Sequence, residues 1–195
     1  GDFKAGISWI DNCLPSWAQT NNFSNHLIWH KALMLIDSGQ AEQALTLFDE
    51  ALVDCLKDDF YLDVCNAASL LWRLEMKGLD LGERWEMLRP YYHRAEDQEL
   101  VFIALHYVMV AVKNGDQAVI DAALSNLQRW AQLPQEQGRI CHAVGLETAK
   151  ALVDLAQGSA ERGVDQLMEL APELQQIGGS HAQRALFTDF IHHYS

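Results

Sequence analysis

HLIWHKALMLIDSGQAEQALTLFDEA, residues 26–51, decides the fold. Apolar residues recur at helical spacing on both sides of Gly39, and glycine is the residue that ends helices in a left-handed turn. Two helices joined by so short a turn must run back along each other. Ala32 and Ala44 are small enough to let them approach closely, and Phe48 is large enough to fill the space beside them.

The same layout recurs. Ala32, Gly39, Ala44, Phe48 and Ala51 fit the spacing of a tetratricopeptide-type helix-turn-helix unit. Ala151, Gly158, Gly163, Leu167 and Leu170 repeat it imperfectly, and Val108, Gly115, Ile120, Leu124 and Leu127 more weakly. The glycines are unevenly spaced, not set at the regular period of about 34 residues. The reading is all-α: an α-α superhelix of antiparallel hairpins with degenerate tetratricopeptide-like repeats, against the alternative of an irregular helical bundle. It treats 1–195 as a single domain. About ten helices can be drawn, over 2–12, 23–38, 40–56, 60–77, 81–95, 98–113, 116–131, 135–157, 160–176 and 180–193. Gly78 joins the other three glycines as a helix end. Asp97 and Asp116 stand where N-caps belong, because a carboxylate accepts from free helix N–H groups. Asp58-Asp59 reads as a helix start.

Composition excludes several classes. Apolar residues are 49% and charged residues 21%, as in a soluble globular protein with a real core. With 27 acidic against 14 basic residues the net charge is −13. That field repels phosphate backbones and anionic bilayers, so neither nucleic acid nor membrane is an expected partner. The longest apolar run, Leu100–Val112, is about 13 residues and reads as a buried helix. No signal peptide is read at the start, although the chain opens as if cut from a longer one. The cysteines Cys13, Cys55, Cys65 and Cys141 form no C-x-x-C pair and read as reduced thiols of a cytoplasmic protein. The six tryptophans read mostly as core. No phosphate loop, nucleophile elbow or cofactor signature is present.

Polar groups intrude on the apolar helices in four places. At ~100° per residue, His26, His30, Leu33 and Asp37 share one side of their helix, at the edge of the core. An H-x-x-x-H pair is half of a metal-binding geometry, but the glutamate of H-E-x-x-H is missing. No metal site is therefore assigned, and His26 and His30 stand only as weak candidates. Asp63, Asn66, Ser69 and Arg73 form a stripe of mixed polar groups, either solvated or lining a concave surface. His106 lies inside LVFIALHYVMVAV and must find a hydrogen-bond partner or sit on a pocket floor. In IGGSHAQR, residues 177–184, Ser180 and Gln183 form a capping box. His181 and Arg184 cap nothing obvious, and a helix N-terminus bearing both could receive an anion.

These residues also carry a resemblance. W-x4-N-x3-H-x2-WH-x-AL (Trp17, Asn22, His26, Trp29, His30, Ala32, Leu33, with Ser24 at a variable position) resembles the tetratricopeptide repeat protein 38 family. So do LDVCNAASLLWRLEMKG at 62–78, GERW at 82–85 and GGSHAQR-x2-F at 178–187, in family order. Residues 113–140 carry no such motif. The resemblance implies a helical-repeat fold and the C-terminal part of a longer family chain, and it implies no reaction.

Three functions follow as expectations. The first is an interaction or scaffold module that holds a peptide or helix, basic by charge, in a concave groove. Its candidate lining is His26, Trp29, His30, Asp63, Asn66, Ser69, Arg73, His106, His181, Gln183 and Arg184. The second is a small-molecule or metal pocket, enzymatic or not, in which His26, His30, Asp63, His106, His181 and Arg184 converge. The third is a structural network that fixes one packing arrangement. The first is preferred, which favours a non-catalytic role and leaves an enzymatic pocket as the alternative.

Overall fold

In the computed structural model, which describes residues 2–17 and 23–195, every regular element among those residues is helical and none is a strand. Asn22 of the family-like motif lies outside the described residues. By internal contacts the chain divides into two units, Gly1–Gly82 and Glu83–Ser195.

The first unit opens with α1 (Phe3–Trp17) and α2 (Phe23–Asp37). The sequence predicts an end for α1 near residue 12, yet it runs on through Pro15. Pro15 lacks an N–H, but it sits exposed in the last turn, where water can take the freed carbonyl. Gly6 lets α1 close on α2, since a Cβ there would stand 2.7 Å from Met34 Sδ. Gly39 then turns the chain at φ 77°, which only glycine adopts without strain. Beyond it, α3 (Ala41–Leu47), a π-helical turn (Phe48–Leu52), α4 (Val53–Cys55) and a 3-10 turn (Leu56–Asp58) make one interrupted rod. Ala32, Ala44 and Phe48 are fully buried, as the hairpin reading requires. Asp58-Asp59 does not start a helix: Asp59 ends the rod at φ 49°, and extended Phe60 precedes α5 (Tyr61–Met76).

The second unit begins with a departure. Residues 82–94 are not an α-helix but a 3-10 stretch, Gly82–Arg94. Pro90 offers no N–H, and its ring opposes the carbonyl one α-helical turn back. The helix α6 (Val101–Lys113) is buried from Val101 to Val112, as its continuous apolar run predicts. Its start corrects the sequence reading, because Asp97 caps nothing there. Extended Leu100 precedes α6, and the Val101 N–H donates to Gln137 Oε1 at 3.0 Å.

Asp116 does cap α7 (Gln117–Trp130), accepting the Val119 N–H at 3.3 Å. The next rod joins α8 (Glu136–Ile140), a π-helical turn (Cys141–Gly145) and α9 (Leu146–Ala156), and α10 (Ala160–Leu170) follows. α10 ends at Leu170, before the expected end at 176: Ala171 keeps helical angles, but Pro172 has no N–H to carry the hydrogen-bond ladder on. A 3-10 turn (Leu174–Ile177) and α11 (His181–Tyr194) complete the chain.

The α9–α10 hairpin is tight. Glu147 meets Gln166, Ala151 meets Gly163 and Asp154 meets Arg162. One register rises as the other falls, so the two helices run antiparallel. Among the described residues, no helix is long and apolar enough to cross a membrane.

Candidate functional site

The Asp63–Arg73 stripe is not a solvated face. Asp63, Asn66, Ser69 and Arg73 are 4%, 1%, 1% and 6% exposed, and they face α2. Asn25 Nδ2 donates to Asp63 Oδ2 at 3.3 Å, and His26 Nδ1 lies 3.3 Å from Asn66 Oδ1. Trp29 Nε1 donates to Ser69 Oγ at 3.1 Å. Both partners climb in step along these three bonds, at separations of 38, 40 and 40 residues. Helices α2 and α5 therefore run parallel, with the α3 rod between them in sequence. That is the order expected of equivalent helices in successive hairpin repeats.

Packing joins the polar contacts. The His26 ring stacks on Trp29 with centroids 5.1 Å apart, and the Arg73 guanidinium carbon stands 5.9 Å from the Trp29 ring centre. Ser69 Oγ donates onward to the Asn66 carbonyl at 3.1 Å, and Arg73 Nη1 donates to the Ser69 carbonyl at 3.4 Å. The centroids of His26 and His30 are 4.7 Å apart, and both rings are half-buried at the core edge, as the helical spacing predicts. Burial lowers the pKa of both imidazoles. The Asn66 bond partly opposes this at His26, whereas the neighbouring His26 lowers His30 further. Both rings are thus held toward the neutral form. Two neutral imidazoles one turn apart could share an ion. Among the described residues, however, no cluster of three or more His, Cys, Asp or Glu groups is placed to hold a metal.

The remaining candidates lie in the second unit. His106 is buried, and its Nδ1 pairs with the Phe102 carbonyl at 2.7 Å, which gives it the satisfied core role. The capping box is present: Ser180 Oγ accepts the Gln183 N–H at 3.3 Å, and Gln183 Oε1 accepts the Ser180 N–H at 2.7 Å. Arg184 is a cap after all. Its guanidinium donates to the carbonyls of Gly178 and Gly179 and so closes the turn before α11. His181 is exposed.

Concave surface occurs elsewhere. In the first unit a groove of about 620 Å³ runs between α1, α2 and α3, over Ile7, Leu35 and Leu47. In the second, a groove of about 580 Å³ lies between α7, α9 and α10, over Leu124 and Val153. Local sequence reading missed both, because each depends on how three helices pack and not on the pattern along any one of them. It also missed Asn126, which is 4% exposed and ties the segment before α6. Asn126 Nδ2 donates to the Glu96 carbonyl at 2.8 Å, and Asn126 Oδ1 accepts from Gln98 Nε2 at 2.8 Å.

No protein-family model matches the chain, and no solved structure matches it.

Proposed function

We propose that the chain is a helical-repeat interaction module of the tetratricopeptide kind, related to the tetratricopeptide repeat protein 38 family, and that it holds a peptide or helix of a partner protein in a groove between its hairpins. The observation that supports this best is the pair of open grooves of about 620 and 580 Å³, each framed by three helices. Such grooves are where helical-repeat proteins take peptides. The net charge of −13 favours a partner segment rich in Lys or Arg. On this reading the α2–α5 polar contacts are a joint that fixes the repeat and not the contact surface. The family-like motifs supply that joint: Trp29 comes from one and Asn66 and Ser69 from another. The four free cysteines support a cytoplasmic setting, where thiols stay reduced.

The test is selection of a random peptide library against the full chain. The expected outcome is enrichment of peptides bearing Lys or Arg. Failure of any peptide to enrich over an immobilised control protein would overturn the reading.

A further inference from the structure

The charges in the two grooves differ. In the α1–α2–α3 groove, Lys4 and Lys31 balance Asp11 and Glu50, and Lys31 is paired with Asp11 at 2.6 Å. The α7–α9–α10 groove holds Lys150 and Arg162 against Asp154, Asp165 and Glu169. Both of its cations are engaged: Lys150 Nζ lies 2.6 Å from Glu147 Oε1, and Arg162 clasps Asp154 through two nitrogens. Among the described residues, no cation pairs with Asp165 or Glu169.

Asp165 and Glu169 are exposed and one helical turn apart on α10, so about 6 Å separates them along the axis. Leu124 of α7 and Val153 of α9 lie beneath as an apolar floor. Met168 stands on the same side of α10, within about 100° of both carboxylates, and is 56% exposed. The surface thus offers two anions beside an apolar trough with an apolar shoulder.

Resting on the proposed interaction role, we infer that the α7–α9–α10 groove is the docking surface, and that its occupant is a basic protein segment presenting one apolar side chain between two Lys or Arg residues. A helix with cations one turn apart meets Asp165 and Glu169 together, and its intervening apolar side chain covers Leu124 and Val153. The α9 and α10 walls are held close together at Gly163, where a Cβ would stand 2.8 Å from the Ala151 carbonyl oxygen.

The experiment uses the peptides enriched on the full chain, with affinity measured by fluorescence anisotropy against three proteins. These are the natural chain, the Asp165→Lys/Glu169→Lys variant, and a control, Gln43→Lys/Glu50→Lys, that alters the other groove. All four substituted positions are exposed, and matching thermal melts verify that the variants fold. The inference expects basic peptides whose affinity falls about tenfold or more in the first variant, as opposed charges become like charges, and stays within about twofold in the control. Enriched peptides that lack Lys and Arg, or that ignore Asp165→Lys/Glu169→Lys, or that respond to the control instead, overturn the inference and leave the interaction role standing. An empty selection overturns that role and the inference with it.

Discussion

Trp29 Nε1 donates to Ser69 Oγ at 3.1 Å inside the core, across 40 residues of chain. The bond joins the middle of α2 to the middle of α5, and both residues are essentially inaccessible to water. Ser69→Ala leaves the indole N–H buried without an acceptor. The expected cost is about 1–3 kcal/mol, read as a lower urea midpoint. In a Trp29→Phe background, which has no donor, the same substitution costs measurably less. Equal costs in both backgrounds would remove this bond from the account of the joint.

The neighbouring histidines predict a pH dependence. Folding lowers the pKa of His26 and His30 from their ordinary 6.5, so below that value the unfolded chain binds more protons than the folded one. Stability contributed by the pair is fully present above pH 6.5. It declines as pH falls through 6.5 toward the folded pKa values. Urea midpoints taken from about pH 8 to about pH 5 should show this decline, and His26→Asn/His30→Asn should flatten it. A double variant with the unaltered slope would mean that other groups carry the dependence.

Two glycines of the α9–α10 hairpin are needed for different reasons. At Gly163 a methyl group would meet the Ala151 carbonyl oxygen at 2.8 Å and Leu155 Cγ at 3.0 Å. Gly163→Ala should therefore separate the helices and cost about 1–3 kcal/mol. Gly158 has φ 86° and open space around it, so Gly158→Ala meets only backbone strain of about 1–2 kcal/mol. Thermal melts measure both, and a stabilising Gly163→Ala would contradict the close packing described.

Gln137→Ala tests the distant cap of α6. It strips the Val101 N–H of its acceptor at a fully buried position. The expected loss is about 0.5–2 kcal/mol, with faster hydrogen exchange at the Val101 amide. An unchanged exchange rate there would show that Gln137 does not act as the cap.

The helices were legible where local chemistry decides them. Apolar periodicity and the glycine turns located most rods, and Ser180 with Gln183 disclosed its capping box. Reading failed where the deciding partner is remote. Asp97 has the chemistry of an N-cap, but α6 takes its cap from Gln137. The Asp63–Arg73 stripe was visible as a stripe, yet its burial depends on α2, whose Asn25, His26 and Trp29 supply the facing groups. Arg184 read as spare because its acceptors are backbone carbonyls, which no side-chain pattern reveals. Trp9 is the exception among largely buried tryptophans: it is 55% exposed on α1, which buries only Ile10.

The interaction role is tested most directly by the salt dependence of binding. An enriched peptide is titrated into the full chain from about 50 mM to about 500 mM salt, over which screening removes most of the attraction between exposed charges. The account predicts affinity that falls steadily, by several-fold or more. Affinity that holds constant across the series would contradict an acidic groove as the recognition surface.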